Sequence, residues 1–101
     1  MSARWLLATR FESRQKETMH DPQLYMKSQH AIAELKGAIL GLLAQHPNGL
    51  SNADIGRSLG IYHGHSSGQE GHISRTLLAL LESEQVAIQD KKTKLWRVRA
   101  N

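Results

Sequence analysis

At 101 residues the chain is long enough for one compact domain and too short for two that each bury a core of their own. It contains no cysteine, which excludes a disulfide framework and a thiolate zinc site, so the fold must rest on apolar burial. The formal net charge of +4 is unevenly placed: residues 1–22 net +1, residues 23–84 net −1, and the excess lies where Lys91, Lys92, Lys94, Arg97 and Arg99 face only Asp90. Such a concentrated basic end supplies a local footprint for a polyanion; the alternative is a solvated hairpin edge guarded by lysines.

No apolar run is long enough for a membrane span, and Trp5 to Ala8 is too short for the apolar part of a signal peptide. The expectation is therefore a cytoplasmic protein with no membrane partner. Residues 1–22 mix Trp5, Leu6, Leu7 and Phe11 with charged residues and follow neither the helical nor the strand period, so they are read as an arm or short element apart from a domain at 23–101. A homodimer through this segment and the first helix is the expected assembly.

Asp21-Pro22 opens the first helix, the carboxylate capping free amides and the proline fitting the first turn. Leu24, Ile32, Leu35, Ile39, Leu42 and Leu43 make its predicted apolar stripe, and His46-Pro47-Asn48-Gly49 ends it. Gly37 and Gly41 lie four apart, a spacing that lets another helix approach closely. A second, short helix follows Leu50: Ser51 and Asp54 form a capping-box pattern, Ile55 and Leu59 share a face, and Gly60 suits the left-handed residue that stops it. Residues 62–71 hold three glycines, two serines and two histidines and are read as a loop. A third helix runs from Gln69 or Glu70 to Glu84, with Ile73, Leu77, Leu80 and Leu81 predicted to face the core. Val86 and Ile88, then Trp96 and Val98, alternate with polar residues around Asp90-Lys91-Lys92-Thr93, which predicts a hairpin with one buried and one basic face. The fold class is mainly α with a small β hairpin.

Over residues 23–99 this order resembles the winged helix-turn-helix domains. The resemblance is carried by the long first helix, Leu50-Ser51-Asn52-Ala53-Asp54-Ile55 with Gly60, Ile73-Ser74-Arg75-Thr76-Leu77, and the terminal Leu95-Trp96-Arg97-Val98. It implies that the third helix enters the major groove of double-stranded DNA, that the wing lies along the backbone, and that the second helix buttresses the third. Two features depart from the family's pattern. The link between the second and third helices is about ten residues where a short turn is usual, and Glu84-Gln85 stands where many members have a glycine.

With Ile73, Leu77 and Leu80 inward, the third helix offers Gln69, His72, Arg75, Thr76 and Ala79 outward. Arg75 is the candidate base reader, because a guanidinium donates two parallel hydrogen bonds to a guanine edge; Gln69 pairs with adenine in the same manner. Ser66, Ser67, Ser74 and Thr76 are candidate hydroxyl donors to phosphate, and Lys91, Lys92, Lys94, Arg97 and Arg99 are the charged phosphate contacts. Trp96 shares a face with Val98 and is assigned to the core rather than to base stacking. His63, His65 and His72 lack a fourth ligand and a rigid frame, so no metal or cofactor is expected. No nucleophile and base, phosphate-binding loop or paired carboxylates point to catalysis. The expected function is DNA binding by a small transcriptional regulator; the alternative is a winged helix that serves as an adaptor or assembly subunit for another protein.

Overall fold

A computed structural model describes residues 21–63 and 70–100. Residues 1–20 of the arm predicted over 1–22, and Ser66, Ser67, Gln69 and His65 in the glycine-rich stretch, lie outside the described residues. The elements follow the expected order: α1 (Pro22–Ala44), α2 (Asn52–Ser58), α3 (His72–Ser83), β1 (Ala87–Gln89) and β2 (Trp96–Val98), the strands forming a two-stranded antiparallel sheet. No described helix is long and apolar enough to cross a membrane. Two compact units divide the chain, Met1–Ile32 and Ala33–Asn101.

In the first unit the described residues are the opening turns of α1. Asp21 Oδ1 accepts from the amides of Gln23 at 2.9 Å and Leu24 at 3.2 Å, the capping predicted from the Asp-Pro pair. Leu24, Met26 and Ile32 are exposed, so Leu24 and Ile32 do not belong to the buried stripe expected of them.

The second unit holds the core: Ile39 and Leu43 of α1, Ile55 of α2, Leu77, Leu78 and Leu81 of α3, with Ala87 and Trp96 from the hairpin. Each fully buried large apolar side chain contributes about 1.5–3 kcal/mol relative to exposure. Gly37 and Gly41 are exposed, and a Cβ at either meets nothing within 4 Å among the described residues. The close helix approach expected at that pair is absent there. The close approach occurs instead at Gly56 of α2, where a Cβ would lie 2.9 Å from Tyr62 Cδ1 and 3.1 Å from Ser74 Oγ.

Two helices end alike. At α2, Gly60 has φ 73°, its amide bonds to Arg57 O, and the Ile61 amide reaches Gly56 O at 2.8 Å. At α3, Gln85 takes the same left-handed conformation at φ 64°, with its amide on Glu82 O and the Val86 amide on Leu81 O at 3.1 Å. The glycine missing from the sequence after α3 therefore marks no different ending; Gln85 adopts the strained conformation in its place.

In the hairpin Ala87 pairs with Val98, Ile88 with Arg97 and Gln89 with Trp96. Leu50 joins as an isolated antiparallel partner of Trp96, exchanging two backbone hydrogen bonds of 3.0 and 2.7 Å. Gly49 makes this possible: at φ 100° it needs no side chain, and a Cβ would stand 2.9 Å from Leu95 Cβ. Trp96 is buried, as its pattern predicts. The rest of the alternation is displaced by one residue on β1. Ala87 is buried while Val86 and Ile88 are exposed, Ile88 standing opposite exposed Arg97; Val98, opposite Ala87 on β2, is exposed as well.

Candidate nucleic-acid interface

The start of α3 is fixed by polar contacts to α2. Ser74 is fully buried, and its hydroxyl donates to Asn52 Oδ1 at 2.7 Å, while Asn52 Nδ2 donates to Gly71 O at 3.1 Å. Gly71 closes the junction: a Cβ there would collide with Asn52 Nδ2 and lie 3.2 Å from Tyr62 Cε1. His63 and Gly71 form an isolated parallel bridge, and His63 Nε2 lies 2.8 Å from Gly60 O. Among the described residues no three His, Asp or Glu side chains converge as metal ligands.

These contacts set the rotation of α3. Its buried side is Ser74, Leu77, Leu78 and Leu81, whereas Ile73 and Leu80 are about two-fifths exposed. At roughly 100° per residue this turns the helix by about 60° from the phase predicted with Ile73 and Leu80 inward. Ser74 is accordingly not a phosphate donor; its hydroxyl is spent inside the molecule. His72, Thr76 and Ala79 stand opposite the core, with Arg75 and Glu82 on one flank and Ile73 and Leu80 on the other. The Thr76 hydroxyl donates to His72 O at 2.9 Å, which leaves its oxygen as an acceptor toward solvent. Arg75 is exposed and makes no ion pair among the described residues.

The hairpin turn is organised by Asp90. Its Oδ1 accepts from the amides of Lys92 at 2.8 Å and Thr93 at 3.1 Å, and Lys94 closes the turn at φ 66°. These amides, Thr93 first and Lys92 next, hold the Asp90 carboxyl below its usual range, with a smaller contribution from the Arg97 charge. The carboxylate is therefore committed to the backbone of the turn, and Lys91, Lys92, Lys94, Arg97 and Arg99 are all exposed around it. Lys91 Nζ lies 3.9 Å from Glu82 Oε2 on α3, a loose pair in which the lysine remains 78% exposed. Glu82 is two turns beyond Arg75 on the same flank, so Lys91 of the basic turn lies near the Glu82 end of that flank of α3.

The structure thus brings Arg75, His72, Thr76 and the five basic hairpin residues to exposed positions and removes Ser74. It also presents a cation that periodicity did not single out. Arg57, in the last turn of α2, has its guanidinium carbon 4.5 Å from the centroid of the Tyr62 ring. The pair spans the Gly60 turn, where no helical or strand spacing applies, so only the local basic charge of Arg57 was visible beforehand. Compared with protein-family models, with curated proteins and with solved structures, the chain gives no match in any of the three.

Proposed function

We propose that this protein is a cytoplasmic winged helix-turn-helix protein that binds double-stranded DNA, a small transcriptional regulator in which α3 occupies the major groove and the basic hairpin follows the backbone. The observation that carries this reading is the Lys91–Glu82 contact at 3.9 Å, which brings the basic hairpin turn near the α3 flank that also bears Arg75. A helix about 18 Å long with small or polar residues at His72, Thr76 and Ala79 fits a groove about 12 Å wide. Arg75 reads a guanine edge there, and Lys91, Lys92, Lys94, Arg97 and Arg99 neutralise phosphates of the backbone. The test is fluorescence anisotropy with labelled duplexes, first random and then enriched by selection, across a series of salt concentrations. Absence of duplex binding at low salt would sink the proposal.

A second reading is favoured by Ile73 and Leu80, which are 41% and 39% exposed on the other flank of α3. In this reading the helix docks on another protein, and the chain is an adaptor or assembly subunit. Retention of a stable protein partner after nuclease treatment, with loss of that partner in Ile73→Asp and Leu80→Asp, separates it from DNA binding. For the homodimer, exposed Leu24, Met26 and Ile32 offer α1 an apolar surface for a second copy, which sedimentation over a concentration series tests.

A further inference from the structure

Resting on the duplex-binding reading, we infer that Arg57 is a further backbone contact, a phosphate grip at the junction of α2 and α3 held ready by Tyr62. The guanidinium carbon lies over the Tyr62 ring at 4.5 Å, a cation–π placement. Stacking occupies only the face of the guanidinium, so its in-plane N–H donors stay directed outward and suited to the paired oxygens of a phosphodiester. The ring itself is fixed. Its edge fills the space above Gly56, with Cδ1 2.9 Å from the position of an added Cβ, and Cε1 is 3.2 Å from the corresponding position at Gly71.

The same junction carries Arg75, whose Nη2 lies 3.5 Å from the Cβ position of Gly71. One tyrosine ring and one glycine thus separate two exposed guanidinium groups, and neither forms an ion pair among the described residues. Two exposed cations at one junction, neither ion-paired among the described residues, raise the local positive potential that a polyanion meets there. Arg57 is the member restrained by its stack, so it loses less side-chain freedom on binding than an unsupported surface arginine. It grips the backbone in a sequence-independent manner and so sets where the start of α3, and Arg75 with it, meets the base edges.

The experiment uses the full chain and a fluorescein-labelled 20-base-pair duplex of random sequence, with anisotropy read from about 50 to 200 mM salt. Arg57→Gln is expected to weaken binding by about tenfold at 100 mM salt and to flatten the log–log salt slope by about 0.9, the value for one lost phosphate contact. Tyr62→Phe keeps the ring and retains the wild-type slope. Tyr62→Leu removes the stack and lowers affinity with the charge still present. Circular dichroism and melting confirm that each variant is folded, and if Tyr62→Leu is not, Arg57→Gln alone decides. Wild-type binding with an unchanged affinity and slope in Arg57→Gln overturns the grip and leaves the duplex-binding reading standing. Failure of the wild type itself to bind overturns both.

Discussion

The Ser74 hydroxyl donates to Asn52 Oδ1 across 2.7 Å, a hydrogen bond between α2 and α3 that lets a polar residue join Leu77, Leu78 and Leu81 on the buried side of α3. The hydroxyl is thereby satisfied in the core, and His72, Thr76 and Ala79 stand opposite it.

Ser74→Ala leaves Asn52 Oδ1 without its donor and is expected to destabilise the fold by about 1–2 kcal/mol, read by urea or thermal unfolding. Because the hydroxyl is buried, random-duplex affinity of the folded variant stays within about twofold of wild type. A loss of affinity at unchanged stability would return Ser74 to the binding surface.

Gln85 adopts φ 64°, a conformation that costs a side-chain-bearing residue about 1–2 kcal/mol and glycine almost nothing. After the larger unfolded-state freedom of glycine is subtracted, Gln85→Gly stabilises by about 0.5–1 kcal/mol. Equilibrium denaturation checks the sign.

At Gly37 and Gly41 there is open space where a Cβ would go, among the described residues. Gly37→Ala and Gly41→Ala each raise helix propensity, so each is expected to add about 0.5–1 kcal/mol of stability. If either substitution instead lowers stability in a concentration-dependent way, a second copy packs on that face of α1.

Arg75→Ala is expected to lower affinity for a selected duplex by about 1–3 kcal/mol and to affect random duplex less, since one bidentate base contact is lost. Lys91→Ala and Lys92→Ala weaken binding to both, each flattening the salt slope by about 0.9. Equal losses on the two duplexes in Arg75→Ala would identify it as a phosphate contact only.

Asp90 carries a lowered folded-state pKa, set first by the Thr93 amide and then by the Lys92 amide. A depressed carboxyl contributes stability that is present above its ordinary value of 3.8 and is lost as pH falls through the lower folded value. The amide signals of Lys92 and Thr93 are expected to shift together in that acidic window, and Asp90→Ala to abolish the shared titration. Independent behaviour of the two amides would show that the carboxylate does not organise the turn.

Much of the local structure was legible beforehand because its causes are local. Asp21 caps α1, Ser51 Oγ accepts from the Asp54 amide at 3.1 Å, and Gly60 stops α2 in the left-handed conformation, each through residues a few positions apart. Trp96 is buried as assigned, although Val98, with which it was expected to share a buried face, is exposed. The face of α3 was misjudged because hydrophobicity alone favours Ile73 over Ser74, and nothing within the helix announces that Asn52, 22 residues away, will satisfy the hydroxyl. On β1 the one-residue displacement has a similar origin: Ala87 is a weaker apolar signal than Val86 or Ile88, yet it is the residue that joins the core with Leu77, Leu78 and Leu81.

By itself, the order of amino acids determined three helices and a hairpin, their caps and stops, and a basic C-terminal turn. These depend on backbone conformation and hydrogen bonds between near neighbours. Tertiary structure alone decided that Ser74 is interior, that Ile73, Leu80 and Ile88 are exposed, and that Lys91 of the hairpin turn approaches Glu82 of α3. Which way an element faces depends on the surface it packs against, and that surface is assembled from residues distant along the chain.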